Sequence, residues 1–312
     1  MSVKCAFLFA GQGSQALGMG KDFFENSEVA KAMIADASSR TGIDFEKLLF
    51  EENDDLGQTE FTQPAILLVA TIAHRLFSDA TNIEPILTMG HSLGEFSALV
   101  ASGALDAIDA VELVNLRGKL MAEACSKQAV GMMVSLGLKD EVVERLCQEQ
   151  RDLGLQVWAV NYNADGQIVI AGIKKDLEAL APILKEAKAK RAILLDMSVA
   201  SHCPLLESAS APLSEKLNEM IKDSFTSPVI SNVTAEPYNS KAEALELLPK
   251  QLVLPVKYKH SMANIDDGVD CYIEFGQGNV LKGLNRKATK KPHFNISDMA
   301  SLEATIEALK AL

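Results

Sequence analysis

The sequence predicts an α/β protein built from strand–turn–helix units, interrupted by a second, smaller unit. Three observations carry that prediction. Short apolar runs end in glycine turns at Val3–Phe9, at Ile83–Leu87 and at Cys271–Phe275. The second run leads into Gly90-His91-Ser92-Leu93-Gly94, after which Phe96, Leu99 and Val100 recur at helical spacing. Between about Lys127 and Met197 the signals follow a different order, β-α-β-β-α-β, which is that of a ferredoxin-like unit. The predicted layout is therefore discontinuous: 1–126 and 198–312 form one domain, and 127–197 the insert.

Composition narrows the function before any motif does. Hydrophobic residues at 48% and charged residues at 23% fit a globular chain with a sizeable core. A net charge of −12 argues against nucleic acid, which needs a basic face. The apolar stretch Ala6–Ala10 is too short for a signal peptide or a membrane span and reads as the first buried strand. Five scattered cysteines contain no C-x-x-C pair, so neither a zinc site nor a disulfide framework is expected. Their odd number fits a reducing cytoplasm.

Taken in order, the first strand runs into Gly11-Gln12-Gly13-Ser14-Gln15, which lacks the Lys-Ser/Thr pair of a nucleotide-binding loop. Surface helices fill 21–50, and Gln63-Pro64 is expected to open an apolar helix over 65–77, with the proline in its first turn. The Gly90–Gly94 pentapeptide fits a nucleophile elbow, with Ser92 at a helix N-terminus whose free N–H groups stabilise an oxyanion. A helix-capping serine explains the same residues. Asp106 is the expected N-cap of a helix running to Cys125, and Arg117 falls inside its apolar stripe. A guanidinium there needs an anion, either a structural carboxylate such as Glu95 or an acidic group on a substrate.

In the insert, 130–136, 155–162, 167–171 and 191–197 read as strands, 139–151 and 174–188 as helices, and 163–166 as a turn. Beyond it, Pro204 suits a first helical position, so His202 sits just before a helix that Pro212 kinks or restarts. The dipole there disfavours imidazolium and keeps His202 neutral, as a general base must be. Its competitors are placed elsewhere: His91 in the elbow, His74 in the buried helix, His260 and His293 in polar surroundings. A strand is expected over 229–234. Lys282, Arg286, Lys287, Lys290 and Lys291 stand with no acidic residue among them, either to steer an acidic partner or as a solvated helix face.

Together, Gly11–Gln15, Gln63-Pro64-Ala65, the elbow, Arg117, Asn161-x-Asn163, Ser201-His202 and Gln251 resemble the malonyl-CoA:acyl-carrier-protein transacylases of bacterial fatty acid synthesis, along essentially the whole chain. The resemblance implies an α/β-hydrolase-like large domain with the ferredoxin-like insert. It implies Ser92 as the acyl-accepting nucleophile, His202 as its base and Gln251 as the carbonyl that orients the histidine. It further implies an oxyanion hole from the N–H groups of Gln12 and Leu93, a malonyl carboxylate held by Arg117, and site positions for Gln63 and Asn163. The implied partners are malonyl-CoA and an acyl carrier protein docking on the 282–291 cations, with no cofactor or metal, a monomeric state and a cytoplasmic location. Ala10, Asp165 and Gln277 depart from prolines usual in the family, and Val199-Ala200-Ser201-His202 faintly resembles a methyl-branched extender signature of polyketide acyltransferases. The rival expectations are a free-standing polyketide-type acyltransferase and an α/β-hydrolase esterase or thioesterase. The esterase needs an acid, for which Asp196 is the nearest candidate.

Overall fold

A computed structural model describes residues 3–197 and 199–312. Ser198, at the predicted return to the larger part, lies outside the described residues. The strands in chain order are β1 (Cys5–Phe9), β2 (Pro85–Gly90), β3 (Val130–Leu136), β4 (Val157–Ala164), β5 (Gln167–Ile173), β6 (Arg191–Leu194), β7 (Val229–Ile230), β8 (Pro237–Tyr238), β9 (Cys271–Phe275) and β10 (His293–Ile296). They form two sheets. The larger has the order β10-β9-β1-β2-β7-β8 and is parallel except for the edge strand β8. Its centre, β1, is buried along its whole length, as a strand covered by helices on both faces must be.

The smaller sheet has the order β4-β5-β3-β6, with every pairing antiparallel. The helices Asp140–Asp152 and Lys174–Glu186 belong to the same stretch of chain. Their buried leucines, valine and cysteine join the inward side chains of β3, β4 and β5 in a core of their own. This unit is tied to the large sheet's side of the molecule by main chain: Tyr162 N–H donates to the Val256 carbonyl at 2.9 Å, and Val256 N–H to Val160 at 2.8 Å. Those two bonds hold one wall of the cleft described below.

Several expectations need correction. The apolar helix begins at Thr59 and runs to Ala80, so Pro64 lies inside it rather than in its first turn. A proline there cannot donate to the carbonyl four residues back. That carbonyl, of Glu60, instead accepts the Asn115 amide at 2.8 Å, which makes the interior proline tolerable. The turn expected over 163–166 is only Asp165-Gly166, because β4 continues through Ala164. The strand expected over 229–234 stops at Ile230, and the one over 191–197 at Leu194. Pro204 opens a single 3-10 turn before the helix Glu207–Met220, and Pro212 lies inside that helix without restarting it. The helix capped by Asp106 does span Ala107–Cys125, its cap accepting from Ile108 N–H at 3.0 Å. Among the described residues, no helix is long and apolar enough to cross a membrane.

Candidate active site

The site lies beyond the carboxyl ends of the parallel strands, where open α/β sheets bind their ligands. Strand β2 ends at Gly90 and the next helix starts at Gly94, so the chain reverses within three residues. Such a reversal tolerates no side chain at its corners. A Cβ on Gly90 would sit 1.8 Å from the Gly94 carbonyl carbon, and one on Gly94 would sit 2.0 Å from the Phe9 carbonyl oxygen. Ser92, at the apex, has φ of 54°, a left-handed conformation that a serine adopts only when its surroundings impose it. Asn232, just after β7, does part of the imposing. Its Oδ1 accepts the Ser92 N–H at 2.6 Å and its Nδ2 donates to the Gly90 carbonyl at 2.7 Å.

The Ser92 hydroxyl meets His202 Nε2 at 2.7 Å. On the far side of the ring, Nδ1 stands 2.6 Å from the Gln251 backbone carbonyl, which can only accept. Nδ1 therefore carries the proton, and Nε2 presents its lone pair to the serine. No carboxylate takes the Nδ1 position, and Asp196, the acid an esterase triad would use, is not its partner. His202 is itself left-handed, with φ of 62°. Burial, reinforced by the Arg117 charge, lowers its pKa to about 3, so the ring is a neutral base throughout the physiological range. Pro204 opens only a 3-10 turn, so desolvation, more than the helix dipole expected from the sequence, keeps the ring neutral.

Arg117 reaches the same place from the helix Ala107–Cys125 and is 1% exposed. It makes no direct ion pair with Glu95 among the described residues, although the Glu95 charge still acts on it from beyond Gln251. Two glutamine oxygens flank it instead. Nη1 donates to Gln63 Oε1 at 2.6 Å and Nη2 to Gln251 Oε1 at 3.0 Å, with Ser92 Oγ 3.4 Å from Nη2. Its Nε–H is buried without a partner. The guanidinium donates only to neutral acceptors; desolvation lowers its pKa to about 10, and the Glu95 carboxyl beyond the Gln251 amide offsets part of that cost.

Gln63 extends this contact toward the first loop. Its Nε2 donates to Thr59 Oγ1 at 2.9 Å, and that hydroxyl donates to Gln12 Oε1 at 3.0 Å. The backbone N–H groups of Gln12 and Leu93 have no hydrogen-bond partner among the described residues, and both residues line the cavity around Ser92. Its volume is about 190 Å³, and Met132, Val169 and Leu195 close it from the inserted unit. Asn163 reaches the cavity too, accepting at 2.7 Å from His91 Nε2. Thus Ser92, His202, Gln251, Arg117 and Gln63 form one bonded cluster, with Gln12, Leu93 and Asn163 around it.

The expected basic stretch is partly spent. Lys291 donates to the Asp266 and Val269 carbonyls, whereas Lys282, Arg286, Lys287 and Lys290 are exposed. Asn232 and the side chain of Gln251 were missed by sequence reasoning. The signal for Asn232 is a polar Ser231-Asn232 pair ending an apolar run at a strand's carboxyl end.

Comparison with known proteins agrees along the whole chain. A family model described as the acyl transferase domain matches residues 6–304. The malonyl CoA-acyl carrier protein transacylase of Bacillus subtilis is 39% identical over 311 residues, covering 98% of each chain. The protein of that name from Escherichia coli is 37% identical over 284 residues, 90% of this chain and 92% of its own. Among solved structures, a malonyl-CoA:acyl carrier protein transacylase from Helicobacter pylori superposes with a TM-score of 0.96 at 46% identity, covering 99% of both chains. A malonyl-transacylase solved in complex with its type II polyketide acyl-carrier protein gives a TM-score of 0.93 at 37% identity, covering 98% of this chain and 99% of its own.

Proposed function

The chain belongs to the acyl transferase domain family and, within it, to the malonyl CoA-acyl carrier protein transacylases, and on that premise we propose that it moves a malonyl group from malonyl-CoA to the pantetheine thiol of an acyl carrier protein through a malonyl-serine. The observation that carries the reading is the cluster at Ser92. A hydroxyl faces a neutral imidazole, and a buried arginine with no direct ion pair stands beside it. The first pair suits nucleophilic acyl transfer; the arginine suits an acyl group that ends in a carboxylate.

In the proposed reaction His202 Nε2 takes the Ser92 proton as Oγ attacks the thioester carbonyl carbon. The oxyanion that forms is held by the Gln12 and Leu93 N–H groups; removing one such donor typically costs about 100- to 1000-fold in rate. The carbon–sulfur bond breaks and the CoA thiolate leaves with the proton from His202. The carrier's thiol then gives its proton to His202 and attacks the ester carbonyl; the bond to Oγ breaks, and Ser92 leaves with that proton returned from His202. The cycle needs no metal or redox cofactor. Arg117, steadied by Gln63 and Gln251, binds the malonyl carboxylate in both halves, and Asn163 orients His91 at the cavity wall.

The reading extends to the layout and the surroundings. Residues 127–197 form a ferredoxin-like domain, supported by its strand order, and 1–126 with 198–312 an α/β-hydrolase-like catalytic one. Lys282, Arg286, Lys287 and Lys290 dock the acidic carrier, supported by Val280, Leu281 and Leu284 of the same helical region lining the Ser92 cavity. The protein works as a cytoplasmic monomer. The test is CoA release without carrier. A burst of one equivalent that then stalls, and resumes when carrier is added, is expected. Steady release without carrier overturns transfer in favour of a thioesterase.

A further inference from the structure

Glu95 is buried to 1% exposure in the first turn of the elbow helix, and no step above uses it. Three donors converge on its carboxyl group, offsetting part of the burial effect that raises its pKa to about 7. Oε2 accepts from Gln251 Nε2 at 2.6 Å and from the Asn232 N–H at 3.1 Å, and Oε1 from the Tyr238 hydroxyl at 3.1 Å. Gln251 is the link that matters. Its amide has one orientation in which Nε2 faces Glu95 and Oε1 faces Arg117; turning it over would set two donors against each other at Arg117 and leave Glu95 facing an oxygen. The carboxylate thus fixes which end of the amide the guanidinium meets. The same Nε2 also donates to the Ser92 carbonyl at 3.1 Å, which ties the relay to the elbow.

We propose that Glu95 is a positioning residue for substrate selectivity: by fixing the Gln251 amide, it aims Arg117 at the acyl carboxylate while leaving the guanidinium unpaired. A direct Glu95–Arg117 ion pair would consume the groups that the substrate needs. One amide between them keeps the arginine oriented, with its Nε–H still without a partner. The proposal rests on the reading of Arg117 as the carboxylate-binding residue.

The test compares acylation by malonyl-CoA and acetyl-CoA in the intact enzyme and in three variants. If the unaltered enzyme does not prefer malonyl-CoA, the parent reading fails and not this one. Given that preference, Glu95→Ala is expected to raise the KM for malonyl-CoA about tenfold or more, leaving acetyl-CoA kinetics within about threefold. Glu95→Gln is expected to restore the malonyl preference, because its carbonyl oxygen can accept from Gln251 and Asn232 while its amide donates to Tyr238. Should Glu95→Ala not fold, Glu95→Asp takes its place, since it keeps the charge but is one methylene too short to hold Gln251. An unchanged malonyl-to-acetyl ratio in the folded Ala or Asp variant overturns the proposal. So does a Gln variant as unselective as the Ala one, which would make the charge, and not the relay, the cause.

Discussion

Arg117 and His202 are coupled, and the coupling has a sign. Burial is the main reason that the imidazole stays neutral to about pH 3, and the Arg117 charge adds to it. A lowered histidine pKa extends the neutral, proton-accepting form toward acid, so acylation should show no inflection near the ordinary value of about 6.5. Arg117→Ala removes one of the causes and, on the proposed reading, the carboxylate-binding group together. Two outcomes are expected. Malonyl transfer falls about a hundredfold or more while acetyl transfer falls far less, because only malonyl leaves a buried anion unpaired. The acid limb of acetyl-enzyme formation also moves to higher pH. Equal losses with both thioesters would remove Arg117 from substrate selection, and rate–pH profiles of both acyl groups read the two effects separately.

The elements were largely legible in the sequence because their signals are local. The strand Cys271–Phe275 and the Asp106-capped helix follow from a few neighbouring residues, and so does the elbow with its paired glycines. The misread elements are those that a distant group decides. Pro64 sits inside its helix because Asn115, fifty-odd positions away, satisfies the Glu60 carbonyl. No periodicity contains that information. The elbow makes the clearest prediction at this scale. Gly94→Ala would press a methyl group into the Phe9 main chain, which cannot move without disturbing the central strand. A loss of about 3 kcal/mol or more in urea unfolding, or no soluble protein, is expected. Gly283→Ala, in a helix with open space around it, is the control and should be neutral or stabilising by up to about 1 kcal/mol. A Gly94→Ala protein as stable as the control would contradict the close approach.

Across the whole molecule, the site is a convergence of segments that lie far apart in the chain. Ser92 and Glu95 come from the elbow, Arg117 from the next helix, His202 from beyond the insert, and Asn232 and Gln251 from the last third. The residues proposed to react could be named in the sequence because their types and spacing match a family pattern. Their supports were harder to name: Asn232 is marked only by the polar pair that ends an apolar run, and nothing local marks the Gln251 side chain as a partner of Arg117 and Glu95. The insert completes the cleft, with Met132, Val169 and Leu195 over the serine and two main-chain bonds to Val256 fixing its position. On the proposed reading, Ser92 holds a malonyl group between two partners. Intact-protein mass spectrometry with peptide mapping after mixing with malonyl-CoA measures it most directly. One malonyl group on Ser92, discharged when acyl carrier protein is added, is the predicted result; no adduct, or an adduct on another residue, would contradict it.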